Sequence, residues 1–157
     1  MSDIFDPVLA SDSQHPALDR WNSILNAMAP IFGVPPNLVK AHMLYESGGD
    51  ATIISSDLGY GLMQITSGVV NGQYNGLNIL DPFTNIKVAC RDFIAPAMRA
   101  FPTNLEAVVA SYNAGIGAVE AGLANGTDLT KVTYATWYIP NVVNAYSWLN
   151  KQSHASL

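Results

Sequence analysis

Prolines and glycines divide this chain of 157 residues into short segments with helical periodicity. Apolar side chains recur at helical spacing over residues 17–32, and Gly33 ends that pattern. Pro35 and Pro36 suit the first turn of a second helix, which is predicted to run to Glu46. The chain is therefore expected to fold as a mainly α protein with short, well-marked helices.

The second half of the chain carries similar signals. Pro82 begins a long apolar-periodic segment in which Pro96 predicts a kink, and Asn104 is a typical helix cap. Gly115 and Gly117 are predicted to interrupt the helix that follows this cap, and residues 125–131 are predicted to form a loop. Helices are thus predicted over residues 81–100, 104–113, 118–123 and 140–151.

Residues 50–80 differ from the segments on both sides. They are rich in Gly, Ser, Asn and Asp, and they contain two short β-prone stretches, 52–54 and 62–66. The expected fold is one mainly α domain, residues 17–151, with a loop-rich insert or a small irregular β-sheet after the second helix. Residues 1–16 are expected to be an extended lead-in, and residues 152–157 a tail.

The charge and the composition of the chain exclude some classes of function. Charged residues make up 12% of the chain and the net charge is −5, which argues against a nucleic-acid partner. The first residues lack the basic and apolar regions of a secretion signal, and no apolar run is long enough for a membrane anchor. We therefore expect synthesis in the cytoplasm without a signal peptide. Cys90 is the sole cysteine and lies on an apolar helical face, which predicts a buried structural thiol.

Glu46 is the most unusual of the three glutamates. It shares a helical stripe with Val39 and Met43, and it falls in the last turn, where the helix dipole disfavours a carboxylate. Both effects raise the pKa of a carboxyl group and suit it to donate a proton near neutral pH. The alternative from position alone is a glutamate that points into water.

Motifs in a fixed order surround Glu46. They are Glu46-Ser47-Gly48-Gly49, Gly61-Leu62-Met63-Gln64, Asn85-Ile86, Tyr112-Asn113 and Tyr138-Ile139-Pro140. This succession resembles the soluble lytic transglycosylase family and its goose-type lysozyme relatives over about residues 30–150. The resemblance implies a lysozyme-like fold. It also implies an enzyme that cleaves the β-1,4 bond between N-acetylmuramic acid and N-acetylglucosamine in peptidoglycan.

The resemblance implies a role for each motif. Glu46 matches the catalytic acid/base, with Ser47 placed to hydrogen-bond near it. The block of four residues from Gly61 through Leu62 and Met63 to Gln64 matches a wall of the substrate cleft, with Gln64 contacting sugar. Two further motifs complete the match: Tyr112 and Asn113 as a pair facing the sugar at the scissile bond, and Tyr138 as the tyrosine whose hydroxyl supports the glutamate.

For some of these residues, packing in the core is the alternative to contact with sugar. Tyr112 shares an apolar helical face, so a core position stays open for it, and Met63 suits packing better than sugar contact. Goose-type relatives often carry an acidic residue just after the Gln64 block, where this chain has Ile65-Thr66. Asp57 and Asp50 are the remaining candidates for a second carboxylate.

A single carboxyl group favours a lytic transglycosylase that forms 1,6-anhydro products, with hydrolysis by a lysozyme as the alternative. A catalytically inactive wall-binding module is a further alternative. The three histidines, His15, His42 and His154, lack metal-ligand spacing, so neither metal nor other cofactor is expected. The expected partner is the glycan strand of the bacterial cell wall, bound by a monomer. A bacteriophage lysis or virion enzyme would fit the lack of a signal peptide.

Overall fold

The computed structural model describes residues 16–66, 68–70 and 72–155. The helices are α1 Pro16–Asp19, α2 Asn22–Met28, α3 Pro36–Glu46, α4 Pro82–Val88, α5 Ala95–Ala100, α6 Leu105–Ala114, α7 Ile116–Ala124 and α8 Tyr138–Ala155. Ala29–Phe32 and Leu129–Lys131 are 3₁₀ turns, and Ala89–Ile94 is a π-helix. Within these residues, no helix has both the length and the apolar character needed to cross a membrane.

Several predicted bounds need correction. The single helix predicted over residues 17–32 is broken at Trp21, which closes a turn between α1 and α2, and its last turn is 3₁₀. The last helix begins at Tyr138 and continues through Ala155, so residues 152–155 extend α8 and are not a separate tail. Of the predicted lead-in, residues 1–15 lie outside the described part of the chain, and Pro16 already belongs to α1.

The irregularity predicted at Pro96 takes a different form. A π-helix, Ala89–Ile94, joins α4 to α5 without a break, so the irregularity lies in the turns just before Pro96. Cys90 is fully buried in this segment, as its apolar neighbours predict, and burial raises its thiol pKa to about 12. A thiol in this state is a packing group and not a nucleophile.

Asn104, Gly115 and Gly117 were predicted to mark helix ends, and the structure confirms the first two. Asn104 caps α6, because its side-chain oxygen accepts a hydrogen bond from the Ala107 N–H at 3.0 Å. Gly115 separates α6 from α7 with φ +86, whereas Gly117 lies inside α7 and does not interrupt it. The predicted loop over residues 125–131 contains the 3₁₀ turn at its end.

α3 lies at the centre of the core and packs mainly against α8. Val39, Ala41 and Met43 are fully buried, and α3 also carries a buried cation, Lys40. The Lys40 ammonium donates to Asp19 at 2.5 Å, so α1 supplies the charge that a buried lysine needs. This packing buries α3 from Pro36 to Met43 and leaves its last turn, with Glu46, partly exposed.

The insert between α3 and α4 contains no extended strand among the described residues. Of the two predicted forms, the loop-rich insert is confirmed, and the small sheet is reduced to two isolated antiparallel bridges, Ile54 with Tyr60 and Tyr60 with Ile65. The stretch 62–66 is a turn followed by a single bridge residue. The loop therefore needs support from outside itself.

Asn85 on α4 supplies that support. Its Nδ2 donates to the carbonyls of Tyr60 and Ile79 at 2.8 and 2.9 Å, and its Oδ1 accepts from the Met63 N–H at 2.8 Å. Gly61, with φ +70, allows this close approach, since a Cβ there would lie 2.8 Å from the Asn85 Nδ2. One fully buried amide thus holds the insert to the helical core.

Replacing Asn85 with Ala should destabilise the protein by about 3 kcal/mol or more, because three buried backbone groups lose their partner. Urea unfolding followed by far-ultraviolet circular dichroism measures the loss. Asn144→Ala, at an exposed site on α8, is the matched control and should change stability by less than about 0.5 kcal/mol. Equal stabilities of the two variants would contradict the role given to Asn85.

Candidate active site

An open groove of about 500 Å³ runs between the end of α3, the insert and the start of α8. It contains most of the polar residues that the sequence motifs singled out. Its walls are Tyr45, Glu46, Ser55, Ser56, Asp57, Gly59, Gln64, Thr66, Tyr112, Asn113, Tyr134, Ala135, Trp137 and Tyr138.

Glu46 is the last residue of α3 and faces this groove. Its Oε1 accepts a hydrogen bond of 2.5 Å from the hydroxyl of Tyr138, the first residue of α8. Its Oε2 has no hydrogen-bond partner among the described residues and is the oxygen left for the groove. The expected contact between Tyr138 and Glu46 is present in the structure, and Glu46 does not point into bulk water.

The pKa of Glu46 is raised, as its place on an apolar helical stripe predicted. Burial raises the pKa of its carboxyl group from 4.5 to about 7. The Tyr138 hydrogen bond opposes this rise, and the negative charge of Asp57 adds to it. The carboxyl group is therefore close to half-protonated at neutral pH, which is the state that general acid/base chemistry needs.

Two further rings, those of His42 and Tyr112, pack near Tyr138 and Glu46. His42 lies one turn earlier on α3 and its Nδ1 is 3.0 Å from the Tyr138 hydroxyl. The Tyr112 ring packs against the His42 imidazole at 4.7 Å, and the Tyr112 hydroxyl donates to the Met63 carbonyl at 2.6 Å. Tyr112 thus borders the groove with its ring while its hydroxyl is used to fix the insert.

Gln64 presents an amide to the groove in a constrained geometry. Its backbone is left-handed, with φ +49, and its Nε2 donates to the Gly61 carbonyl at 2.9 Å. Its Oε1 has no donor among the described residues. A Cβ at Gly59 would lie 2.5 Å from this oxygen, so only a glycine at that position leaves room for the amide. An outlier backbone held this way is typical of functional sites.

The two candidates for a second carboxylate lie in different places. Asp57 lines the groove, where its Oδ1 accepts from the Ser55 hydroxyl at 2.6 Å. Asp50 is exposed outside the groove, and hydrogen bonds from Thr52 lower its pKa. Asp57 therefore remains a candidate near Glu46, and the structure gives Asp50 no such position.

Four residues expected at the substrate cleft lie behind its wall. Leu62 and Met63 are fully buried in the core, and Gly61 is buried against Asn85. The Ser47 hydroxyl donates to the Leu62 carbonyl at 2.7 Å, and no hydrogen bond joins it to Glu46. These residues shape the loop that carries Gln64. The place at the substrate cleft expected for Ser47, Gly61 and Leu62 is therefore corrected to a supporting position, whereas the packing position that the sequence favoured for Met63 is confirmed.

An aromatic rim that the sequence motifs did not predict is made of Tyr45, Tyr134 and Trp137. Tyr134 is 95% exposed and Trp137 is 47% exposed, although both border the groove. Trp137 packs between Tyr45 and Tyr138, with ring centroids 6.0 Å apart in each case. The available signal for Tyr134 and Trp137 was a cluster of aromatic residues, 134–138, directly before the last predicted helix.

Two solved structures share this fold. The 70 kDa soluble lytic transglycosylase of Escherichia coli matches 87% of the chain, with a TM-score of 0.70 and 23% identity. A complex of the 70 kDa soluble lytic transglycosylase with bulgecin A matches the same share, with a TM-score of 0.72 and 22% identity. The protein therefore has the lysozyme-like, mainly helical fold that the sequence predicted.

Residues 23–138 match the family described as the transglycosylase SLT domain, and the chain belongs to that family. The endo-type membrane-bound lytic murein transglycosylase A of Cronobacter sakazakii is 28% identical over 116 residues, which cover 64% of this chain. Those residues are 57% of that relative, and the match to the two solved proteins covers 25% and 26% of their chains. The chain thus spans little more than half of the curated relative.

The raised pKa of Glu46 has a consequence for stability. The folded protein keeps this proton between about pH 4.5 and about pH 7, where the unfolded chain has lost it, so stability falls as pH rises through that range. The loss is at most about 3 kcal/mol. Glu46→Gln should remove it and leave a variant that is more stable than the parent at about pH 8 but not at about pH 4.5.

Urea unfolding of both proteins at the two pH values measures this difference. Glu106→Gln, at an exposed position in the first turn of α6, is the control and should follow the parent at each pH. A Glu46→Gln protein whose stability changes with pH as the parent's does would contradict the burial argument.

Proposed function

We propose that this protein is a lytic transglycosylase that cleaves the β-1,4 bond between N-acetylmuramic acid and N-acetylglucosamine in peptidoglycan. One observation carries the proposal: a partly buried carboxyl group of pKa about 7, held by a tyrosine hydroxyl, that lines an open groove. Membership of the transglycosylase SLT domain family and the murein transglycosylase relative support the same activity. The bacterial cell wall is then the place where it acts.

In the proposed first step, Glu46 is the general acid. Its proton goes from Oε2 to the glycosidic oxygen, and the bond from that oxygen to C1 of the muramic sugar breaks. The carbonyl oxygen of the sugar's own N-acetyl group bonds to C1, which spreads the positive charge over a cyclic oxazolinium. A second protein carboxylate is not required for this step.

In the second step, the Glu46 carboxylate is the general base. It removes the proton of the 6-hydroxyl of the same sugar, whose oxygen then bonds to C1 as the N-acetyl oxygen leaves. The product ends in 1,6-anhydro-N-acetylmuramic acid, and Glu46 is protonated again. The nucleophile is tethered to the reacting sugar, which gives it a high effective concentration over free water.

The other groove residues bind and orient the sugars in this proposal. The Gln64 Oε1 is an acceptor for a sugar hydroxyl or an N-acetyl N–H, because its Nε2 is already bonded to the Gly61 carbonyl. Asn113 offers its Nδ2 as a donor, since its Oδ1 accepts from the Tyr134 N–H at 2.7 Å. Tyr112 contributes its ring, and Tyr138 orients Glu46.

Hydrolysis is the second candidate, because Asp57 shares the groove with Glu46 and raises its pKa by its charge. Asp57 would have to orient a water opposite Glu46, as the second carboxylate of a lysozyme does. The Ser55 hydroxyl already bonds to one oxygen of Asp57. We favour the transglycosylase reaction because it uses only the group whose pKa is set for proton transfer.

Digestion of purified peptidoglycan should release fragments that end in 1,6-anhydro-N-acetylmuramic acid, because the 6-hydroxyl is the nearest nucleophile. Mass spectrometry distinguishes the outcomes, since a hydrolysed fragment is heavier by one water and is reduced by borohydride. Glu46→Gln should fold normally and release products at least about 10²-fold more slowly.

Glu106→Gln is the matched control and should digest the wall at the parent rate. Fragments of the heavier, reducible kind would mean a lysozyme, with Asp57 the next residue to replace. A folded Glu46→Gln protein with the parent's activity would refute the proposed acid/base. Intact wall in the presence of the folded parent would favour a wall-binding module.

The aromatic rim is proposed to bind a sugar ring next to the scissile bond. Pyranose rings have apolar faces that pack against aromatic rings, and exposed aromatics beside a polar groove mark such sites. The Tyr134 ring leaves almost its whole surface to solvent, so its packing contributes little to the fold.

Tyr134→Ala should therefore raise KM for soluble glycan strands by about tenfold, which corresponds to about 1.4 kcal/mol, and leave kcat within about twofold. Initial rates at several substrate concentrations separate the two constants. Phe83→Ala, at an exposed aromatic outside the groove, is the control and should change neither. A fall in kcat at constant KM would contradict a binding role for Tyr134.

A further inference from the structure

His42 is a buried polar residue that the proposed reaction does not use. It lies one helical turn before Glu46, its imidazole is fully buried, and its Nδ1 contacts the Tyr138 hydroxyl at 3.0 Å. Its Nε2 is buried and has no hydrogen-bond partner among the described residues. A polar side chain in such surroundings is costly unless one of its nitrogens makes a required contact.

The hydrogen bonds around Tyr138 have one consistent direction. The Tyr138 hydroxyl carries one hydrogen, and that hydrogen is used in the 2.5 Å bond to the Glu46 Oε1. His42 must then be the donor to the Tyr138 oxygen, with its own hydrogen on Nδ1. In this tautomer the buried Nε2 is an unpaired acceptor.

The opposite tautomer is disfavoured by its effect on Tyr138, because Nε2 is unpaired in either tautomer. With the hydrogen on Nε2, Nδ1 would be an acceptor, and the Tyr138 hydrogen would then turn from Glu46 toward His42. The Tyr112 ring, 4.7 Å from the imidazole, limits reorientation of the His42 ring.

We propose that His42 is a positioning residue, whose Nδ1–H donates to the Tyr138 oxygen and so directs the Tyr138 hydroxyl permanently at Oε1 of Glu46. Oε1 is then always an acceptor, and the acidic proton of Glu46 is confined to Oε2, the oxygen that faces the groove. This inference rests on the proposed function, and it names the residue that sets which carboxyl oxygen delivers the proton.

The charge state of the cluster supports this arrangement. Burial lowers the pKa of His42 to about 3, so the imidazole stays neutral and keeps a single hydrogen at every pH where Glu46 titrates. The groups that face Glu46 are Tyr138 from α8, Tyr112 from α6 and Asp57 from the insert. Burial raises the pKa of both tyrosines well above 10, so both stay neutral as well.

The tautomer can be read directly in the parent protein. Two-bond ¹⁵N–¹H correlation spectra of histidine-labelled protein should show His42 as a neutral ring with its hydrogen on Nδ1, assigned by its loss in His42→Asn. A hydrogen on Nε2 would overturn the proposal. This measurement needs no substrate, so it separates a failure of the His42 role from a failure of the proposed reaction.

Two substitutions at His42 test the mechanism. His42→Phe keeps a ring without a donor, whereas His42→Asn places an amide N–H near the position of Nδ1. At equal concentrations of folded protein, we expect His42→Phe to lower kcat by about tenfold with KM unchanged, and His42→Asn to recover it to within about threefold. A purely structural role predicts the reverse order, because Phe fills the buried site better than Asn.

The pKa of Glu46 gives a further test, because a purely structural role of His42 would leave it unchanged. With only three glutamates in the chain, ¹³C-carboxyl labelling resolves Glu46, and its pKa should rise in His42→Phe by about 0.5 because the Tyr138 donor is weakened. In a Tyr138→Phe background the same substitution should leave the pKa unchanged, since His42 acts through that hydroxyl. A shift that persists without the hydroxyl, or none in either background, would overturn the proposal.

Discussion

The hydrogen bond between Tyr138 and Glu46 joins the ends of the two helices on which the site depends. Its partners are 92 residues apart, and they meet because α3 and α8 pack together in the core. Glu46 is thereby removed from water at the point where its helix ends. The same packing that stabilises the fold therefore raises the pKa of the carboxyl group to about 7. The packing of α3 against α8 thus accounts for both the stability of the fold and the raised pKa of Glu46.

Hydrogen bonds to the backbone of the insert give the groove its shape. The insert that carries Gln64 has only isolated bridges of its own, and its position is fixed by Asn85, Ser47 and the Tyr112 hydroxyl. Each of these groups bonds to backbone and leaves the groove-facing side chains free. A rigid helical base under a loop of irregular backbone is a common way to position polar groups for binding.

Two polar groups of the site also lower the stability of the folded protein. A carboxyl group that is buried near the charge of Asp57, and an imidazole with an unpaired Nε2, both weaken the folded state. Neither is needed for packing, because an amide or an apolar ring of similar size would fill the same space. Retention of two unfavourable polar groups within one turn of α3 is consistent with a function that requires them.

Local signals in the sequence determined the mainly α fold, the insert over residues 50–80, the cap at Asn104 and the place of Glu46 at its helix end. These features depend on propensity, capping and periodicity, which act within a few residues. The tertiary structure alone decided that Leu62 lies in the core, that Ser47 bonds to Leu62 and not to Glu46, and that His42 contacts Tyr138. An irregular loop has no period that predicts which side chains are buried, and partners that lie 96 residues apart meet only when the helices pack.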